Sequence, residues 1–494
     1  MADFDLAVIG AGVVGTAVAR DAAGRGISVL LLGRGDLASG ASFGAHMLVR
    51  NTLDRCHRIG PRAWYATLHE RAIIHATAPH LARAIGMVLP PQDCGRAPLS
   101  LRARLFACDH LARQWLLPRS RTVDLTHHPF GIALRRHFEY GFVYSDCLLD
   151  EARLSIANAR DAANRGAVVR LHTSCRRAER GSEWGLVLHE RGEREVVTAR
   201  ALVNAADAAV TDVAATIVPP PAPLAMRFVR KSYIIAPRVF NHEGGYLLPD
   251  RQRGGYVLAL PYTNDTMLIG PAEQELSGNV TPPTVSAAEI AALCGCANHY
   301  FRQPVHPDNV TPYACVRVMP GRAWWRRPDH VIRFDHRPGG APLMTICGGS
   351  PIMTRRIAEA AMDRLTRFFR AGPAWTAHVA LPGGDFAADG FDALVAETVQ
   401  HWPFLDTARA RRLVASYGTR VSRILGEASA AADLGEVFGD GLTAAEVRYL
   451  MREEWAETAD DILTRRSRLV FTMQAHSRNA LARFVAAEHA AGRP

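Results

Sequence analysis

Apolar residues run unbroken from Leu6 to Ile9, give way to a glycine-rich turn at Gly10, Gly12 and Gly15, and continue as a helical stretch to about Gly24. They return in a second run from Ile27 to Leu32. That order predicts strand, turn, helix, strand at the head of the chain. Ala201 to Asp207 reads as a buried strand ending in a turn, and Leu343 to Ser350 as another, leading into an amphipathic helix from Pro351 to about Phe369. Ser350 suits the N-cap and Pro351 the first helical position. Between these strands, Lys231 to Pro237 and Gly255 to Ile269 are rich in β-branched and aromatic residues and predict a second, antiparallel sheet. A Pro/Gly-rich passage, Ala371 to Gly390, separates all of this from a largely helical C-terminal region. There is no internal repeat.

Composition narrows the class. A chain of 494 residues exceeds what one hydrophobic core usually spans, so two or three domains are expected. With 48% hydrophobic and 21% charged residues it is ordinary globular protein, neither disordered, collagen-like nor a bundle of membrane spans. No apolar run reaches the roughly 18 to 20 residues of a membrane-crossing helix. The N-terminus has no basic segment before its first strand, so no signal peptide is expected. Nine cysteines, scattered and odd in number, fit a reduced, cytoplasmic compartment. Cys294 and Cys296 are the one close pair, with no second ligand pair beside them, so no metal site is expected. The formal charge of +10 is nearly all arginine, since Lys231 is the only lysine. It is spread without a basic run or binding module, which argues against nucleic acid and leaves an anionic substrate or membrane face open.

The glycine turn carries the first chemistry. Gly10 permits the tight turn, Gly12 lets a pyrophosphate approach the backbone, and Gly15 lets the helix pack close to the sheet, with the helix N-terminus turned to the phosphates. An acidic residue normally ends the second strand and accepts hydrogen bonds from the adenine ribose. Here that place is Gly33, followed by Arg34. Loss of a charged hydrogen bond, roughly 1.5–3 kcal/mol, weakens dinucleotide binding by about one to two powers of ten. Arg34 reads as an exposed loop residue or, alternatively, a phosphate contact.

At this point the chain resembles the FAD-dependent, respiratory glycerol-3-phosphate dehydrogenases over nearly its whole length. Similar blocks are Ile9 to Gly15, Asp21 to Gly26, Gly35 to Ala38, Ala78 to Leu81, Phe142 to Cys147, Asp150 to Leu154 and Leu202 to Ala205. Others are Gly372 to Trp375, Leu381 to Gly384, Ala445 to Leu450, Glu454-Trp455 and Arg465-Arg466. The resemblance implies an α/β fold, with a Rossmann-like FAD-binding domain interleaved with an antiparallel-sheet substrate domain, plus a C-terminal helical cap. Expected bounds are 1–375, with substrate segments at about 76–144 and 226–325, and 376–494 for the cap. It implies noncovalent FAD, weakened by Gly33, with Gly10, Gly12, Gly15, Arg34, Ser42, Gly348, Gly349 and Ser350 as cofactor-binding residues.

Where relatives carry their pocket chemistry, this chain departs. The family's histidine is Arg50, its two glycines Asn51 and Thr52, and its following arginine Asp54. An arginine pairs a phosphate through a planar fork, and an aspartate repels it. The lysine of the second block is Ser350, although Gly348 and Gly349 remain. Gly270-Pro-Ala-Glu273 replaces a glycine-threonine-threonine-aspartate block, and Ala206-Asp-Ala-Ala209 a threonine-glycine-proline-tryptophan block. Tyr313-Ala-Cys-Val-Arg317 keeps the arginine that contacts substrate in relatives. Arg317 is therefore the catalytic-site candidate, its alternative being an arginine that braces the sheet. Glu273 and Asp54 are candidates for a general base or cation partner. His46, His127 and His128 read as structural.

Two readings of function follow. One is an FAD-dependent oxidoreductase acting on a changed small-molecule substrate by hydride transfer to flavin. The other is a pseudoenzyme with a binding or scaffolding role. The segment Leu99 to Trp115 places Leu101, Leu105, Cys108, Leu111 and Trp115 at helical spacing, a face that either packs on the core or lies on an anionic membrane. The resemblance thus implies a cytoplasmic protein with peripheral contact at the inner membrane face as one option, and leaves a homodimer open.

Overall fold

The computed structural model describes residues 2–40, 48–49, 61–91, 101, 103, 105–106, 118–262, 265–277, 283–321 and 330–492. Two nine-stranded sheets form among them. At the centre of the first lies Phe4–Ile9, parallel to Val29–Leu32 on one side and to the end of Glu193–Asn204 on the other. Val168–Arg170 and Leu343–Gly348 extend this parallel set outward. Strands covered on both faces require continuous apolar runs. Leu6, Ala7, Val8, Leu30 and Leu31 accordingly have no exposed surface.

The strand expected over 201–207 differs at both ends. It begins at Glu193 and stops at Asn204. Residues 193–199 run antiparallel to Trp184–Glu190 before residues 199–204 join the parallel set. The first part opens on the exposed charged residues Glu193, Arg194 and Glu195, so an apolar run finds only the buried second part. Asp207 then opens a short 3₁₀ turn.

The helix after the glycine turn, Val13–Gly24, is buried nearly all round because Glu151–Asn164 and Thr354–Leu365 both pack on it. The helix expected from Pro351 to Phe369 is segmented into a 3₁₀ turn at Pro351–Met353, an α-helix at Thr354–Leu365 and a further turn at Thr366–Phe368. Ser350 occupies the N-cap with extended backbone, but its hydroxyl does not cap.

The second sheet runs in the order Thr311–Pro320, Met226–Pro237, Thr266–Leu276, Tyr256–Pro261, Gly245–Pro249, Ala82–Leu89, Tyr140–Leu149 and Leu48–Val49, with Arg121–Asp124 on the edge of Tyr140–Leu149. It is antiparallel except where Gly245–Pro249 meets Ala82–Leu89 in parallel. The register puts Arg317 opposite Val229.

The C-terminal region is helical, built on Phe391–His401, Thr407–Tyr417, Ala444–Glu454 and Ala475–Ala490 around Tyr417, Val447, Leu450, Ile462 and Leu481. Two buried ion-pair clusters dock it on the first sheet. Arg153 makes a bidentate pair with Glu454 and lies over the Tyr417 ring. Arg465 and Arg466, from a π-helical turn, both engage Asp36 in the loop after Val29–Leu32.

Candidate functional site

Gly10 has φ +124°, and a Cβ there would stand 2.4 Å from the Ala205 carbonyl oxygen. A Cβ on Gly15 would stand 1.8 Å from the Gly10 oxygen. Both positions are therefore closed to any side chain. Gly12 is the N-cap of Val13–Gly24, whose first turn carries no acid, so the positive helix end faces the turn uncancelled by its own residues. These three glycines form a cradle that fits a pyrophosphate.

At the end of the second strand a Cβ on Gly33 would meet the Ala11 Cβ at 2.8 Å, which leaves no room for the acid usual there. Arg34 points to solvent. The next acid, Asp36, is turned inward: its Oδ2 accepts from Arg465 Nε at 2.5 Å and its Oδ1 from Arg466 Nη2 at 2.7 Å. The Ala38 N–H donates to the Ala11 carbonyl at 3.0 Å, tying this loop to the glycine turn. Ser42 lies outside the described residues, as do His46, Arg50, Asn51, Thr52 and Asp54.

At the other end of the site, Leu343–Gly348 runs beside Glu193–Asn204, bringing Gly348 next to Asp207. Gly348 and Gly349 have φ +72° and +108°, and a Cβ on Gly349 would meet Ile357 Cδ1 at 2.6 Å. Ser350, where relatives have a lysine, has no exposed surface. The turn after Asn204 is pinned by its side chain. Asn204 Nδ2 donates to the Val210 carbonyl at 2.9 Å, and Oδ1 accepts from the Ala206 N–H at 3.3 Å. Asp207 takes φ +45° there, a left-handed conformation that aspartate tolerates better than most residues.

The turn that opens at Asp207 packs against the strand Thr311–Pro320, which carries Arg317, and against Leu343–Gly348. Burial pushes the Asp207 carboxyl up to about 6, with Arg317 and the Gly348 N–H opposing that rise. Arg317 is engaged elsewhere: its Nη2 donates to Glu151 Oε1 at 2.8 Å and Oε2 at 2.7 Å. Burial alone would lower the Arg317 guanidinium, but the Glu151 carboxylate outweighs it and holds Arg317 above the ordinary arginine range. Around this triad stand Cys315, pushed up to about 11 by burial, and Tyr233, raised well above its usual value by the same cause. Tyr233, Tyr262, Tyr313 and Cys315 form one apolar cluster against Phe471 from the C-terminal region.

The other sequence candidates fall outside this triad. Glu273 forms a surface pair with Lys231 at 2.9 Å. His127 pairs with Asp124 in solvent, and His128 caps the turn Pro129–Gly131. Cys294 and Cys296 are free thiols on the helix Ala287–Tyr300. Of the segment from Leu99 to Trp115, Leu101 and Leu105 pack in the core with Trp64 and Leu68, while Phe106 is exposed. Sequence reasoning missed Glu151, which follows the N-cap Asp150 and reads as an ordinary first-turn acid. Its partner lies 166 positions away, and nothing local announces it.

Comparison with known proteins shows the family of the chain. Residues 5–361 match the FAD dependent oxidoreductase family, and residues 374–490 match the C-terminal domain of alpha-glycerophosphate oxidase. The chain is 35% identical to a glycerol-3-phosphate dehydrogenase of Pseudomonas aeruginosa, covering 98% of this chain and 96% of the relative. This chain belongs to the FAD-dependent glycerol-3-phosphate dehydrogenase family. A D-erythritol 1-phosphate dehydrogenase of Brucella abortus, 33% identical over 94% of each chain, is similar too. In fold, a glycerol-3-phosphate dehydrogenase from Bacillus halodurans complexed with FAD superposes with a TM-score of 0.77, at 22% identity, over 99% of this chain and 91% of the other. As a member of this family the protein is an FAD-dependent oxidoreductase with a small-molecule substrate, and the non-catalytic reading is not supported. No helix among the described residues is long and apolar enough to cross a membrane.

Proposed function

We propose that this family member oxidises an alcohol that lacks the phosphate carried by the substrates its relatives are named for. One observation carries this reading. Arg317, the inherited anion contact, is already chelated by buried Glu151, while the lysine position beside it is the buried, uncharged Ser350. Among the described residues, a phosphate dianion entering here meets a guanidinium already paired with a buried carboxylate, so its desolvation is poorly repaid. A neutral hydroxyl avoids that cost. Both hydrogen bonds to Glu151 pass through Arg317 Nη2.

When bound, FAD accepts the hydride that leaves the substrate carbon. The chain's part is to hold and orient. Gly10, Gly12 and Gly15 with the Val13–Gly24 helix end take the pyrophosphate, and Gly348, Gly349 and Ser350 present backbone to the flavin's pyrimidine side. Binding is noncovalent and weaker than in relatives with an acid at Gly33. In this reading residues 1–375 form the flavin body, with substrate segments at 76–144 and 226–325, and 376–494 form the cap. Peripheral membrane contact at the exposed Phe106 and a homodimer belong to the same proposal, tested by vesicle flotation and light scattering.

Anaerobic bleaching of the flavin tests the substrate reading. Glycerol 3-phosphate and erythritol 1-phosphate should reduce it at least about a thousandfold more slowly than an intact relative is reduced by its own substrate. A panel of phosphate-free polyols should contain a faster reductant. Rapid bleaching by glycerol 3-phosphate refutes the reading.

A further inference from the structure

We propose that Lys231 and Glu273 form a subsite for the distal hydroxyls of a polyol whose reacting end lies at Arg317. The inference rests on the reading of that site given above and deepens it, since it makes the substrate a polyol with hydroxyls beyond the reacting pair. Side chains two positions apart on a strand share a face, and so do residues paired directly across strands. Tyr313, Cys315 and Arg317 therefore stand on one face of the second sheet, with Tyr233, Lys231 and Val229 opposite them on the neighbouring strand. The rings of Tyr233 and Tyr313, 6.1 Å apart, show that this register carries through to the side chains. Glu273 is paired with Lys231 from the next strand, and Lys231 Nζ lies 2.9 Å from Glu273 Oε1. The face looks toward the flavin body, because Glu151, which receives Arg317, opens the helix that packs on Val13–Gly24.

The two ends of this face differ in chemistry. At one, Phe471 from the C-terminal region meets the Tyr262 and Tyr313 rings at 6.2 and 6.1 Å and makes an apolar wall. At the other stands Arg317, and Lys231 lies diagonally from it, about 7–8 Å away along the sheet. Glu273 draws the ammonium toward the strand on the far side from Arg317, so the two cations serve different oxygens. Lys231 and Glu273 are 22% and 43% exposed, open enough for a ligand to reach and less solvated than a surface pair. The contact with Glu273 uses one of the three ammonium hydrogens, and the carboxylate accepts where the ammonium donates, which matches a hydroxyl that does both. Lys231 is also the only lysine among 58 lysines and arginines. Its compact head turns its donors to suit an oxygen, where the planar fork of arginine is fixed.

Erythritol and propylene glycol are the probes, offering a reacting diol with and without hydroxyls beyond it. Anaerobic bleaching of the FAD-loaded protein gives the half-saturating concentration of each, and calorimetry gives its affinity. Lys231→Met should raise the erythritol value at least about tenfold and leave propylene glycol within about twofold, because the charged hydrogen bond it removes reaches a distal hydroxyl alone. Glu273→Gln should act in the same direction, and Lys231→Arg, which keeps the charge and donors, should recover most of the loss. Urea midpoints should stay close to that of the unaltered protein, since a partly exposed pair adds little to stability.

Equal changes for both probes, or none for either, would overturn the proposal and leave Lys231 and Glu273 as a bridge between strands. Absence of binding by both polyols would overturn it as well. So would a Lys231→Met variant that binds inorganic sulfate more weakly and erythritol as before, which would assign the ammonium to an anion. The two readings fail separately. Rapid bleaching by glycerol 3-phosphate in a protein whose erythritol affinity still depends on Lys231 sinks the substrate reading alone. A polyol that bleaches the flavin rapidly, with the same half-saturating concentration in Lys231→Met, sinks this inference alone.

Discussion

Replacing Asp36 by asparagine should loosen the C-terminal region and the flavin cradle together. Asp36 is buried, and its two oxygens take hydrogen bonds from Arg465 Nε and from both terminal nitrogens of Arg466. Arg466 has no exposed side-chain surface, and its remaining acceptor is the Glu454 carbonyl at 2.6 Å. An asparagine keeps the shape but removes the charge, and its amide turns a donor toward two guanidinium groups. Breaking one side of a buried pair costs about 3–5 kcal/mol, because the other charge stays buried without compensation. That is a large part of the roughly 5–15 kcal/mol that holds a domain folded. Urea unfolding at 25 °C, followed by tryptophan fluorescence and by flavin release, reads the loss. FAD affinity should fall in parallel, since the same loop holds the glycine turn through the Ala38 N–H to Ala11 carbonyl bond. Arg466→Met and the double variant complete a cycle whose coupling should reach about 2 kcal/mol or more. Losses below about 1 kcal/mol that simply add would refute the argument.

Gly10→Ala places a Cβ 2.4 Å from the Ala205 carbonyl at a φ that alanine avoids, so the purified variant should be colourless and about 2 kcal/mol or more less stable by urea titration. Asp207, with its folded pKa raised to about 6 from the usual 3.8, binds its proton more tightly folded than unfolded, so its contribution to stability is lost as pH rises from about 4 to 6. Asp207→Asn should therefore gain roughly 1–3 kcal/mol over the unaltered protein at pH 7.5 and nothing below about pH 4, measured as unfolding midpoints at the two pH values. Arg317→Ala should lower kcat/KM by roughly ten- to a thousandfold and also lower stability by about 3 kcal/mol, because buried Glu151 loses its two charged hydrogen bonds to the guanidinium. Melting curves that match the unaltered protein would show that Glu151 is solvated or protonated in the variant.

The parts of this fold that were legible in the sequence are those whose signal is local. The Leu6–Ile9 run, the glycine spacing and the Leu343–Ser350 strand each state their structure within about ten residues, and the backbone follows them. Glu193–Asn204 was half hidden because it serves two partners: the antiparallel part opens on charged, exposed residues and only the parallel part is a buried apolar run. Ser350 was read as a capping hydroxyl from its position before Pro351, yet the 3₁₀ turn that follows gives that hydroxyl no cap donor in reach. The site was legible as a set of departures from relatives, and Asp207 appeared only as one of them. What it faces depends on a sheet-to-sheet contact between Asn204–Asp207 and Arg317, and no periodicity encodes that. The same holds for Arg317 and Glu151, or Asp36 and Arg466, whose charges meet only after the chain has folded.

The distribution of what this chain keeps and what it changes follows from the contacts. Gly10 and Gly15 face backbone atoms that cannot move away, a strand-end carbonyl and another turn residue, while Gly349 combines a φ of +108° with the packed Cδ1 of Ile357. A side chain at any of them must displace a paired backbone or a packed core, which costs more than one compensating substitution can recover. Ser350 and Asp207 are constrained differently. Neither carries a packed apolar side chain, so a change there alters charge before it alters packing. Because Coulomb terms act over several ångströms, such changes alter the charge near Arg317 without moving a strand. The glycine cradle is therefore held by steric constraints that no single substitution relieves, whereas charge at these two positions is free to vary within the same fold.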